Sequence, residues 1–124
     1  MGIQFKARSD LTELQERLEA AVSQMRSGAV KGVSKTVNDA VAKAKRRAPA
    51  VTGALRDSIT GAVSETGGQV VGVFGTDIRY GPSVEFGTGG TGQAAKPYLY
   101  PAFAAAGQEL TQNITEAIKK EMGE

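Results

Sequence analysis

The chain has 124 residues, 40% of them hydrophobic and 23% charged, with 16 Gly and neither Cys nor His; that is enough for one core and too little for two ordinary domains. Thiolate and imidazole metal sites, cysteine nucleophiles, Ser-His-Asp triads and disulfides are excluded together. Lys plus Arg is 15 against 13 for Asp plus Glu, a net +2, and the excess lies at the front, where residues 1–50 hold 10 bases and 5 acids.

No apolar run approaches the roughly 20 residues of a membrane span, and MGIQFKARSDL lacks the apolar stretch of a signal peptide. The expectation is a soluble protein made and kept inside the cell. Leu11, Leu14, Leu18, Val22 and Met25 fall on one helical stripe, with Glu13, Glu16, Arg17 and Glu19 on other faces. Asp10, three residues before Glu13, reads as its N-cap. The stripe resumes at Val30, Val33, Val37, Val41, Ala44 and Ala48. This predicts a second helix, or one long helix bent near Gly28 and Gly32, reaching about Arg47 within a helical region 10–48 that Pro49 closes.

Residues 54–76 read as a β-hairpin region. Ser58 to Val63 alternates as a half-buried strand, Thr66-Gly67-Gly68 is a turn, and Gln69 to Gly75 is rich in β-branched residues. Two strands are marginal alone, so the hairpin needs cover from the helices or a third strand. Residues 80–102 read as irregular, with a flexible loop at 87–96. Phe103, Gly107, Leu110, Ile114, Ile118 and Met122 then mark a C-terminal helix over 102–122. With no alternating βαβ pattern and no repeat, the fold class is α+β: long N-terminal helix or helix pair, small antiparallel sheet, C-terminal helix.

Three features invite chemistry. Gly87 to Gly92 spells G-x-G-x-x-G, but the phosphate-binding form needs a helix starting at once, which Pro97 and Pro101 oppose, and Gln93-Ala94 replaces the Lys and Ser or Thr of a phosphate loop. Lys43, Lys45, Arg46 and Arg47 form a basic cluster able to give weak nonspecific contact with DNA phosphates, or simply to complement the helix dipole; no stacking aromatics adjoin it. Glu85, between Val84 and Phe86, would act as a base if burial raised its pKa. Pairing with Arg56 or Arg79, or acceptance of backbone N–H bonds at a turn, is the structural alternative, and no second catalytic group stands beside it. The expectation is no enzyme, no cofactor and no metal.

Three segments combine in order: Ala48-Pro49-Ala50-Val51-Thr52-Gly53-Ala54-Leu55-Arg56-Asp57-Ser58-Ile59, then Tyr80-Gly81-Pro82-Ser83-Val84-Glu85-Phe86-Gly87-Thr88, then Lys96-Pro97-Tyr98-Leu99-Tyr100-Pro101-Ala102. This order resembles the head-to-tail joining, or tail-completion, proteins of long-tailed DNA phages, the family typified by gene product ten of phage Hong Kong ninety-seven. The resemblance runs from about Lys43 to Ala102, with Gly81 where the family usually has Ala. It implies a structural virion protein made in the host cytoplasm and built into the neck as a homo-oligomeric ring, hexameric by the resemblance, among other neck and tail proteins. The tail terminator that caps the tail tube is the alternative within that class, and a nonspecific DNA-binding module using residues 43–47 is the alternative outside it.

Carried over, the motif falls on Pro49, Thr52, Gly53, Leu55, Ser58 and Ile59, on Tyr80, Val84, Glu85, Phe86, Gly87 and Thr88, and on Pro97, Leu99, Pro101 and Ala102, which are the candidate interface positions. Thr52-Gly53 would turn the chain into the sheet with Leu55 and Ile59 in the core. Tyr80 to Phe86 would form a helical turn packing Val84 and Phe86 inward and ended by Gly87 at positive φ. Pro97 and Pro101 would fix an extended crossing before the last helix.

Overall fold

A computed structural model describes residues 2, 7–49, 53–89 and 94–123. Thr52, part of the first motif, and the middle of the glycine loop lie outside them. The order of elements is α1 (Ala7–Arg47), α2 (Ala54–Ser58), β1 (Thr60–Thr66), β2 (Gln69–Gly75), α3 (Gly81–Phe86) and α4 (Leu99–Glu121), an α+β arrangement.

The two helical stripes belong to one element. α1 is a single helix of 41 residues, about 60 Å long at 1.5 Å per residue. Gly28 and Gly32 do not divide it; they are the places where α4 comes closest. A Cβ on Gly28 would stand 2.6 Å from the Ile118 Cα, and one on Gly32 would stand 2.5 Å from the Ile114 Cα. Asp10 is not the N-cap, because the helix already starts at Ala7 and places Asp10 in its first turn, where a carboxylate still complements the dipole. The C-terminal boundary falls at Arg47 as expected, with Lys45, Arg46 and Arg47 in the last turn.

α4 runs antiparallel to α1. The Asn113 amide donates to the Thr36 hydroxyl at 2.9 Å, and that hydroxyl donates to the Gly32 carbonyl at 2.8 Å, both inside the helix interface. A satisfied buried polar pair of this kind fixes the register of two otherwise apolar faces. Ion pairs Lys31–Glu121 and Lys43–Glu109 flank it.

The hairpin lies against α1 as well. β1 and β2 pair antiparallel from Thr60 opposite Gly75 to Thr66 opposite Gln69, and Gly67 and Gly68 turn the chain at φ +58° and +82°, positive angles suited to a two-residue hairpin. Gly61 and Gly72 lie over Val37, where any Cβ would collide. The strand begins at Thr60; Ala54 to Ser58, expected at the edge of the hairpin region, is a helical turn instead. Gly53 at φ +76° starts that turn, and Ser58 closes it by donating to the Leu55 carbonyl at 2.6 Å. That local hydroxyl bond competes with strand pairing and wins.

The core sits at the C-terminal end of α1: Ala40, Ala44 and Ala48 pack with Leu55, Ile59, Val84, Tyr98 and Ala102. Small alanines on α1 leave room for the fully buried Tyr98 ring.

Candidate functional site

The second and third motifs meet around one carboxylate. Glu85, buried on α3, accepts N–H bonds from Tyr98 at 3.1 Å, Leu99 at 2.7 Å and Tyr100 at 3.3 Å. These are the backbone donors at the start of α4, which has no local side-chain cap. A helix start leaves such donors without internal partners, and an anion there also meets the positive end of the dipole. Of the readings open for Glu85, acceptance of backbone N–H bonds is the one observed; neither Arg56 nor Arg79 pairs with it. Because the cap comes from 13 to 15 residues upstream, α4 begins at Leu99 and takes Pro101 into its first turn, where a missing N–H costs nothing. The extended crossing expected across Pro101 is therefore absent.

Tyr98 completes the junction. Its hydroxyl donates to the Gly81 carbonyl at 3.1 Å. A Cβ on residue 81 would stand 2.9 Å from the Tyr98 Oη and 2.8 Å from the Thr76 Cγ2. The Tyr98 hydroxyl and the Thr76 methyl thus give a steric reason for Gly at position 81. Burial, then the Glu85 carboxylate and Tyr80, push the Tyr98 phenol above its ordinary value of 10.0. The folded protein holds this proton to higher pH than the unfolded chain, so the contribution is complete below about pH 10 and falls as pH rises beyond it. Urea unfolding across the alkaline range should show that fall. In Tyr98→Phe it should be shallower, at a cost of about 1 kcal/mol at pH 7 for the lost hydrogen bond.

The other motif positions divide between core and surface. Leu55, Ile59, Val84 and Ala102 are buried and Leu99 is half-buried against them. The Ser58 hydroxyl bonds that of Thr76, which accepts from the Ile78 N–H at 3.0 Å, joining α2 to the exit of β2. Gly87 ends α3 at φ +77°. Phe86, expected inward, points outward and is 79% exposed, because Glu85 takes the inward position beside it. Tyr80, Thr88 and Pro97 are exposed, and Pro49 is half-buried just beyond α1.

Phe86 belongs to an aromatic surface with Tyr100 and Phe103, also exposed. The three line a pocket of about 380 Å³ with Phe74, Pro82 and Leu99. Phe74 and Phe103 also line a second depression of about 240 Å³ between β2 and α4, floored by Val33 and Val37 and reaching Leu110. The two form one apolar trough. In the basic cluster Lys43 is bound to Glu109 at 2.8 Å, which leaves Lys45, Arg46 and Arg47 at the end of α1.

The sequence model of the family described as "Bacteriophage HK97-gp10, putative tail-component" matches residues 12–87, more than half of the chain. The chain belongs to the HK97-gp10-like family. The match covers α1 from Thr12 through α3, so Glu85 and the apolar stripe of α1 from Leu14 onward lie inside it, while the third motif, which Glu85 caps, lies beyond it. No curated protein and no solved structure matches the chain. For an HK97-gp10-like tail component the notable property is how much large apolar surface is bare: the stripe on α1, the outer face of β2 at Val71 and Val73, and the aromatic trough. Among the described residues no group of His, Cys, Asp and Glu could hold a metal, and no helix is long and apolar enough to cross a membrane.

Proposed function

We propose that the protein is a tail-completion, or head-to-tail joining, component of a tailed phage that assembles as a ring at the neck of the virion. The observation that carries this reading is the exposure of Leu11, Leu14, Leu18, Val22 and Met25 along the free half of α1, all but Leu11 inside the stretch matched to a phage tail family. A stripe of this size on a small chain is costly in water and is covered on assembly. The work done is the fitting of surfaces: Glu85, the one buried carboxylate among the described residues, is spent on helix capping.

Light scattering on the purified protein, over a range of concentrations and with or without isolated tail tubes, tests the reading. A ring is expected, either free or on the tubes; closed rings that form only on a template leave a monomer in solution. A monomer that ignores tubes and instead binds duplex DNA, in a manner lost at moderate salt and on changing Lys45, Arg46 and Arg47 to Ala, would transfer the function to the basic cluster.

A further inference from the structure

α1 carries both apolar stripes on one unbroken helix, and the rest of the chain covers only its C-terminal half. The contact of Gly28 with Ile118 lies near the end of α4 at Glu121, so Asp10 to Met25 project beyond it as an arm. The arm carries the exposed stripe, with Leu11 64% exposed, and about 24 Å of helix. Between Asp10 and Met25 it carries four carboxylates, Asp10, Glu13, Glu16 and Glu19, against one cation, Arg17, which is already bound to Glu13 at 2.8 Å; Arg8 precedes this stretch, and Arg26, which follows it, is bound to Glu65 at 2.9 Å. Two arms laid side by side would bring two net-negative segments together.

The other end of the molecule is the complement. Lys45, Arg46 and Arg47 make no ion pair with any carboxylate among the described residues, and at the same end lies the trough lined by Phe74, Phe86, Tyr100 and Phe103. The trough's one carboxylate, Glu85, is already occupied by three backbone N–H donors at the positive end of α4. We propose that the acidic, leucine-striped arm of one copy docks in the aromatic trough at the basic end of the next copy. The contact is a helix in a groove, anchored at residues three and four apart. It is heterologous, so repetition closes into a ring when the rotation permits. The proposal rests on the ring reading above and adds to it the two surfaces that meet.

Because the chain has no Cys, introduced thiols report the contact without background. Leu18 and Phe103 are both exposed, so each tolerates replacement in the monomer. Leu18→Cys and Phe103→Cys, oxidised separately, should each stay uncrosslinked, and their mixture should give a disulfide-linked dimer. The double variant should give a ladder ending at the ring size. A dimer from Leu18→Cys alone means arm pairs with arm and overturns the proposal. A ring by light scattering with no Leu18–Phe103 crosslink overturns the proposal and leaves the ring reading standing; no ring and no crosslink, with tubes or without, removes both. Changing Glu13, Glu16 and Glu19 together to Lys should weaken assembly at least about tenfold, with recovery when Lys45, Arg46 and Arg47 become Glu in the same chain; unchanged assembly of the triple Lys variant would also overturn it.

Discussion

Glu85→Ala should lower the unfolding free energy by about 3–5 kcal/mol, the largest loss expected from any single polar residue of this chain. The carboxylate holds three backbone donors, and a hydrogen bond to a charged group contributes about 1.5–3 kcal/mol, with sharing among the three keeping the total below the simple sum. Removing it leaves the buried Tyr98 N–H without an acceptor and takes a negative charge from the positive end of α4. Since a domain of this size has about 5–15 kcal/mol in all, the variant should be partly unfolded near body temperature. Glu85→Gln separates the two contributions. Oε1 alone accepts from Tyr98 and Leu99, so an amide oxygen in its place retains two of the three bonds, and the loss should be about 1–2 kcal/mol. Glu85→Asp keeps the charge but is one methylene short, and should resemble Glu85→Ala. Urea unfolding of the three variants at pH 7 measures this order; a Glu85→Ala protein within about 1 kcal/mol of the native chain would refute the capping role.

The boundary that Pro49 sets, the hairpin turn at Gly67-Gly68 and the positive φ at Gly87 were all readable from local backbone constraints: a fixed φ, a missing N–H or an absent Cβ acts on its immediate neighbours. The helical stripes were readable from spacing, because burial of one face imposes the period. What spacing does not carry is the identity of the partner. Gly28 and Gly32 look the same in sequence whether they bend a helix or admit another one, and only the position of Ile114 and Ile118, more than eighty residues on, decides between the two. Thr36 and Asn113 likewise gave no signal until α4 was placed against α1. Glu85 stands out in the sequence for its apolar neighbours, yet its donors belong to a later segment, and their demand for a cap explains both the inward carboxylate and the outward Phe86. Nor did spacing show that half of α1 stays bare: the stripe at Leu11 to Met25 reads as core, and its exposure follows from where α4 ends.

Replacing Gly32 should be the most damaging change at the α1–α4 interface. Gly is the poorest helix former after Pro, about 1 kcal/mol worse than Ala, so substitution in mid-helix would ordinarily stabilise. Here the added Cβ would stand 2.5 Å from the Ile114 Cα and 2.8 Å from its backbone nitrogen, and backbone, unlike a side-chain tip, cannot swing aside. The two helices would have to move apart, stretching the 2.9 Å bond from Asn113 to Thr36 and opening voids along the seam. Overpacking of this kind costs about 1–3 kcal/mol for a methyl and more for a branched side chain. Gly32→Ala should therefore be net destabilising by up to about 2 kcal/mol and Gly32→Val by about 3–4 kcal/mol, once the propensity gain is set against the clash. Gly107, on α4 with nothing within 4 Å of its Cβ position, supplies the control: Gly107→Ala should raise stability by up to about 1 kcal/mol, since there the propensity gain is unopposed. Opposite signs at two mid-helix glycines in the same urea experiment would establish that close approach, and not backbone freedom, is what Gly32 provides; a stabilising Gly32→Ala would show that α4 shifts freely over α1, and that the buried Thr36–Asn113 pair does not hold the register.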